Sequence, residues 1–126
     1  MQHKTLYILL FTLLPFYSFA QKAYETEHYA GKLNGKSIKL ELANGYIGAC
    51  QIILRYTGKS KPTVFIPDMG VADEHNQLTF HAIAQNRQDY FILSNMQELY
   101  EQAPVYIKGE YHVNKKVAAI KFQLIK

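Results

Sequence analysis

Apolar and polar residues alternate most regularly between Glu27 and Leu42, on either side of the dipeptide Asn34-Gly35. Asn and Gly both accept positive φ, so a two-residue hairpin turn is predicted there. It sets Leu33 opposite Lys36, Gly31 opposite Ile38, Tyr29 opposite Leu40 and His28 opposite Glu41. Tyr29, Gly31, Ile38, Leu40 and Leu42 then share one face, and Ala30, Lys32, Ser37, Lys39 and Glu41 the other. Such a ribbon is half-buried, and later segments add to it as further strands.

The same period of two recurs down the chain. Asn44-Gly45 marks the next turn. A two-residue loop there would put Gln51 on the apolar face. A three-residue loop, Asn44 to Tyr46, places Leu42 by Gly48, Leu40 by Cys50 and Ile38 by Ile52, and parity selects it. Further strands are predicted at Thr63–Ile66, Leu78–Ala84, Asp89–Leu93, Val105–Val113 and Val117–Ile125. Pro67 ends the first of these and suits an edge position. The last two are joined around Asn114-Lys115, by a loop of two or four residues. Either length turns Val105, Ile107, Tyr111, Ile120, Phe122 and Leu124 inward. Asn95 with Glu98 three residues later resembles a capping box, which predicts a two-turn helix over Met96–Gln102, stopped by Pro104. So short a helix must lean on the sheet, through Met96, Leu99 and Tyr100. About eight short strands and one short helix predict an all-β domain. A small antiparallel barrel is favoured, with a Greek-key β-sandwich as the alternative.

Tyr29-Ala-Gly31-Lys-Leu33-Asn-Gly35-Lys-Ser-Ile38-Lys-Leu40-Glu-Leu42 resembles the opening hairpin of small exported bacterial β-proteins of uncharacterised function. Ile107-Lys-Gly109-Glu-Tyr111 resembles their later hydrophobic-x-Gly-x-aromatic strand. The resemblance implies an exported β-domain and assigns no functional residue. Periplasmic lysozyme inhibitors share the size and the export signal, but their Ser-Gly-x-x-Tyr loop is missing here.

The first 20 residues break the alternation and have the three parts of a secretory signal peptide. Lys4, beside His3, supplies the basic region; Leu6 to Leu14 is the apolar stretch, and Pro15 breaks it. Ser18-Phe19-Ala20 puts small residues three and one before a cut ahead of Gln21. The apolar run is too short for a comfortable membrane span. Export to the periplasm or medium is therefore expected, leaving 21–126 as a single β domain with no transmembrane segment. Cys50 is the only cysteine, so the domain is held by packing rather than by an internal disulfide, and the residue reads as a small core side chain.

The net charge is +4, one unit of which leaves with Lys4. The remaining charges look scattered along the chain, with small pairs at Lys59/Lys61 and Lys115/Lys116. That pattern and the leader argue against nucleic acid as a partner, since nucleic acid calls for a continuous basic stripe. Ser37, Ser60 and Ser94 sit in no nucleophile-elbow motif, and His81 and His112 fall on outward strand faces. No metalloprotease, phosphate-loop or dinucleotide motif is present. Asp68, Asp73, Glu74 and His75 share one loop, Pro67–Gln77, but match no known metal-ligand spacing. The expectation is a non-enzymatic protein without metal or cofactor, acting as an inhibitor, immunity-type protein or accessory subunit toward an envelope or extracellular protein. A lipocalin-like barrel around a small apolar ligand is the alternative. Tyrosines outnumber phenylalanines and suit a contact surface. The binding residues expected are Lys59, Lys61, Asp73, Glu74 and His75, on two long connections that flank Thr63–Ile66 and, depending on their return paths, could form one surface.

Overall fold

The computed structural model describes residues 24–55 and 61–126; the predicted leader and cleavage site, and Lys59, lie outside the described residues. The alternation becomes eight strands: β1 (Glu25–Leu33), β2 (Lys36–Asn44), β3 (Gln51–Leu54), β4 (Thr63–Pro67), β5 (Leu78–Ala82), β6 (Tyr90–Leu93), β7 (Tyr106–Val113) and β8 (Lys116–Leu124). Each pairs antiparallel with the next, and β8 returns to β1, so the sheet is a closed barrel and not a sandwich. Closure rests on Tyr29 opposite Leu124 and Ala30 opposite Gln123, extended by the Ile125 N–H donating to the His28 carbonyl at 2.9 Å.

The turns at Asn34-Gly35 and Asn114-Lys115 both form as two-residue loops. Asn34 and Gly35 have φ of 51° and 80°, and Asn114 and Lys115 have φ of 49° and 64°, the conformation whose twist matches the flanking strands. The first hairpin has the register read from its parity, including Tyr29 opposite Leu40 and Gly31 opposite Ile38. The last pairs Ile107 with Phe122 and Gly109 with Ile120, which selects the shorter of its two loops.

Inward residues fill the barrel. Tyr29, Phe65, Phe80, Phe91 and Phe122 are fully buried, with Ile38, Leu40, Ile52 and Leu54 packed among them. The Phe65 and Phe91 rings meet edge-on at 4.8 Å. Each such side chain stabilises the fold by roughly 1.5–3 kcal/mol relative to its exposed form. Outward positions are mixed: Lys39, Lys108, Glu110 and Lys121 are exposed, and so are Ile66, Tyr106 and Val117. A filled apolar interior differs from the polar lumen of a barrel that spans a bilayer.

The structure corrects several expectations. After β2 the chain does not turn at once into β3. Ile47–Ala49 form a single 3₁₀ turn, and β3 begins only at Gln51. Leu40 therefore faces Ile52 and Ile38 faces Leu54, two residues beyond the predicted register but with the same parity. Burial of Ile47 and Cys50 stabilises the longer route. β4 is not an edge, because a closed barrel has none; Pro67 is its last residue, and the ladder continues from the Asp68 N–H to the Thr79 carbonyl. β5 stops at Ala82 and β6 starts at Tyr90, each shorter than predicted. Val105 is half-exposed, because β7 begins one residue later.

No helix forms over Met96–Gln102. Asn95 is in a left-handed conformation, φ 56°, which an N-cap does not adopt. The Met96 N–H goes instead to the Asn76 carbonyl and the Tyr100 N–H to Asn44 Oδ1, so tertiary partners take the donors. Met96 and Tyr100 still point into the core, whereas Leu99 faces solvent.

Gly109 lies where β6 and β7 come closest, and a Cβ there would run into the Ile92 carbonyl oxygen and the Leu93 side chain. Gly109→Ala is expected to destabilise the barrel by about 1–3 kcal/mol. A Cβ at Gly70 meets nothing within 4 Å, so Gly70→Ala serves as the neutral control. Thermal melts of the two variants check this; equal melting temperatures would contradict the packing.

Candidate functional site

In a barrel of sequential antiparallel strands, connections fall alternately at the two ends. The β2–β3, β4–β5 and β6–β7 connections, with both chain termini, form one end, here the loop end. The β1–β2, β3–β4, β5–β6 and β7–β8 connections form the other, the turn end.

The three connections of the loop end lock together. The Gly45 N–H donates to the Glu98 carbonyl at 2.8 Å. Asn44 brackets Tyr100, accepting from its N–H at 2.7 Å and donating to its carbonyl at 3.0 Å. The Met96 N–H reaches the Asn76 carbonyl at 2.8 Å. Gly48 lets the second loop lie directly on the first, since a Cβ there would stand 2.9 Å from the Gly70 Cα. From inside the barrel, the Tyr29 hydroxyl donates to the Pro104 carbonyl at 2.6 Å. Burial pushes the Tyr29 hydroxyl up to about 12, helped by the nearby Tyr100 and Glu27, so it stays a donor at neutral pH.

Above this network the loops present apolar side chains to solvent. Tyr46 is 54% exposed, Met69 68%, Val71 61% and Leu99 68%, and each of the three connections supplies at least one of them. Tyr24 packs beside Tyr46 with ring centroids 6.1 Å apart. A shallow cavity of about 360 Å³ runs along the second loop, lined by Met69, Val71, Ala72 and Asp73 among others. The same three connections carry Asp68, Asp73, Glu74, Glu98 and Glu101, with no Lys or Arg. The Asp73 carboxylate accepts from the Gln77 N–H at 2.9 Å and the His75 N–H at 2.8 Å, a turn that fixes the loop's tip. The Gln77 N–H first, then that of His75 and the His75 charge, hold the Asp73 carboxyl below its ordinary range. Asp68 is committed to His81, whose Nδ1 lies 2.6 Å from its Oδ1.

Of the residues expected to bind, Asp73, Glu74 and His75 stand together at the loop end. Lys61 precedes β4 and is at the turn end, with the length of that strand between them. The two flanking connections therefore do not make one surface. Tyr46, Met69, Val71 and Leu99 were not singled out as binding residues. Met69 and Val71 stand out in the sequence as apolar residues in a largely polar loop, whereas the capping signal places Leu99 on a helix face.

The turn end has a different character. Asp89 is buried there, taking hydrogen bonds from Arg87 Nε at 3.0 Å, from another guanidinium nitrogen at 2.6 Å, and from the Tyr111 hydroxyl. Burial alone would raise its carboxyl; the Arg87 and Tyr111 hydrogen bonds and the guanidinium charge outweigh it and hold the group below its ordinary range. An open groove of about 770 Å³ adjoins this cluster, lined by Tyr90, His112, Asn114, Lys115 and Lys116 as well.

Among the described residues neither end carries an assembled nucleophile. Cys50 is buried, its Sγ accepting from the Ala43 N–H at 3.4 Å, and burial pushes its thiol up to about 11. His81 and His112 flank Tyr90 on the barrel's outside, the latter stacked at 4.7 Å. Among the described residues neither imidazole is hydrogen-bonded to a Ser, Thr or Cys, and no three His, Cys, Asp or Glu side chains gather as a metal site. Comparison with protein families, with curated proteins and with solved structures finds no match to this chain.

Because folding lowers the Asp89 pKa, its contribution to stability is complete above the unfolded carboxyl's value of about 3.9. It is lost as pH falls through the lower folded value. Asp89→Asn is expected to be less stable than wild type at pH 7 by roughly 2–3 kcal/mol. Denaturant titrations between pH 7 and pH 2 are expected to show that difference shrinking below about pH 4. A difference that stays constant to pH 2 would contradict an ionised, paired Asp89.

Proposed function

We propose that this protein is an exported, non-enzymatic interaction module that binds another protein of the cell envelope through its loop end. The observation that carries the reading is the coexistence of a rigid base and an exposed apolar crown. Tyr46, Met69, Val71 and Leu99 stand on connections tied together by Gly45–Glu98, Asn44–Tyr100 and Asn76–Met96 hydrogen bonds. An apolar surface costs solubility, and loops that served only as connectors would gain nothing from displaying it. Loops already held in one conformation lose little freedom on binding. An apolar centre inside a charged rim is also the usual anatomy of a protein interface. The secretory leader read from residues 1–20 supports the envelope as the place of action. The five fully buried rings inside the barrel favour a surface site over an interior apolar ligand, which would need the volume they occupy.

The test is a variant with Tyr46, Met69, Val71 and Leu99 all changed to Ser. Its melting temperature is expected to remain within a few degrees of wild type, since none of the four is buried. Affinity capture from the producing cells' envelope fraction is expected to recover a defined protein with wild type and to lose it, at least tenfold, with the variant. Equal recovery by the two proteins would overturn the assignment to the loop end.

A further inference from the structure

The alternation of connections separates charge as well as shape. At the turn end every connection brings a cation within one residue of itself: Lys36 at the first, Arg55 and Lys61 at the second, Arg87 at the third, Lys115 and Lys116 at the fourth. Asp89 is the acidic residue that accompanies them among the described residues, and Arg87 neutralises it. At the loop end the three connections carry five carboxylates and no Lys or Arg. A modest net charge thus conceals a basic pole and an acidic pole. Strands of four to nine residues, at roughly 3.3 Å per residue, hold the poles about 13–30 Å apart. That exceeds the Debye length of about 8 Å at physiological salt, so the acidic pole does not screen the basic one.

We infer that the turn end is a docking surface for the anionic lipid headgroups of a membrane leaflet, which would hold the barrel upright with its loop end facing away. Three observations point to that occupant. The cations come from all four connections around the barrel's rim, an arrangement that meets a plane rather than a linear polyanion. Lys61, Lys115 and Lys116 are all exposed there, and Lys115 and Lys116 line the 770 Å³ groove, which has room for a headgroup beside Asn114 and His112. Outward Lys39, Lys108, Glu110 and Lys121 on the strands above oppose entry into the leaflet, while Ile83 and Val117, exposed at this end, can touch its headgroup region. Clustered lysines at an anionic surface add their attractions, each losing range within a Debye length.

The test uses the chain from Gln21, which contains every strand from Glu25 to Leu124 and omits the apolar leader. Flotation with vesicles of phosphatidylcholine containing about one-third phosphatidylglycerol is expected to carry the protein at low salt and to release it near 0.5 M salt, as roughly screened charges require. Pure phosphatidylcholine vesicles are expected to leave it behind. A Lys61→Gln, Lys115→Gln, Lys116→Gln variant, shown to be folded by its melt, is expected to bind anionic vesicles at least about tenfold more weakly. The Ser variant of the loop end is expected to bind as wild type, which separates this result from the fate of the protein-binding assignment. Equal flotation with both vesicle types, or undiminished binding by the lysine variant, would overturn the inference. So would displacement by millimolar inorganic phosphate at constant ionic strength, which would indicate a small-anion pocket. A short DNA duplex bound more tightly than the vesicles would overturn it in favour of nucleic acid.

Discussion

Closure of the sheet between β1 and β8 is the constraint on which the rest of the molecule depends. It is narrow: two register pairs, Tyr29 with Leu124 and Ala30 with Gln123, and the adjoining hydrogen bond to His28. Tyr29 sits at its centre, opposite Leu40 on one side and Leu124 on the other, with its ring in the core. The same residue reaches out through its hydroxyl to Pro104, so barrel closure and the position of the last loop are one arrangement. Without closure β1 and β8 would be open edges, and the interior rings would have no second wall.

Closure also decides what each connection can do. An up-and-down barrel divides its connections between two ends, and here the division coincides with a division of chemistry. Connections with lysines and arginines occupy one end, where Ile83 and Val117 are exposed; connections with carboxylates and with exposed Tyr46, Met69, Val71 and Leu99 occupy the other. The long loops are nonetheless well held. Their backbone donors find partners in neighbouring loops, and the polar Asn44 side chain serves as a strut between β2 and Tyr100. Recognition at one end and electrostatic orientation at the other are the uses to which we assign this polarity.

Local rules made much of the fold legible. Asn34-Gly35 and Asn114-Lys115 specify their turns through φ alone, and alternation specifies which face of each strand is buried. Parity, however, is blind to shifts of two, and that is the error it allowed between β2 and β3, where burial of Ile47 and Cys50 lengthened the connection. The predicted helix failed for a non-local reason. Its capping signal was outweighed by Asn44 and Asn76, which lie far away in the chain and come alongside only once the barrel is closed. Of the residues expected to bind, Asp73, Glu74 and His75 fall at the loop end and Lys61 at the turn end, a separation that proximity in sequence hides. Two connections that flank one strand of a meander must lie at opposite ends, and the opposite charges of these two belong to different poles.

Site-specific photo-crosslinking in intact cells tests the central claim, that the loop end meets a protein, most directly. A photoreactive residue at Val71 places the probe among the exposed apolar side chains, and one at Lys115 places it at the other end. The account predicts a discrete protein adduct from Val71 and none of that size from Lys115. A discrete adduct from Lys115 with none from Val71 would contradict it.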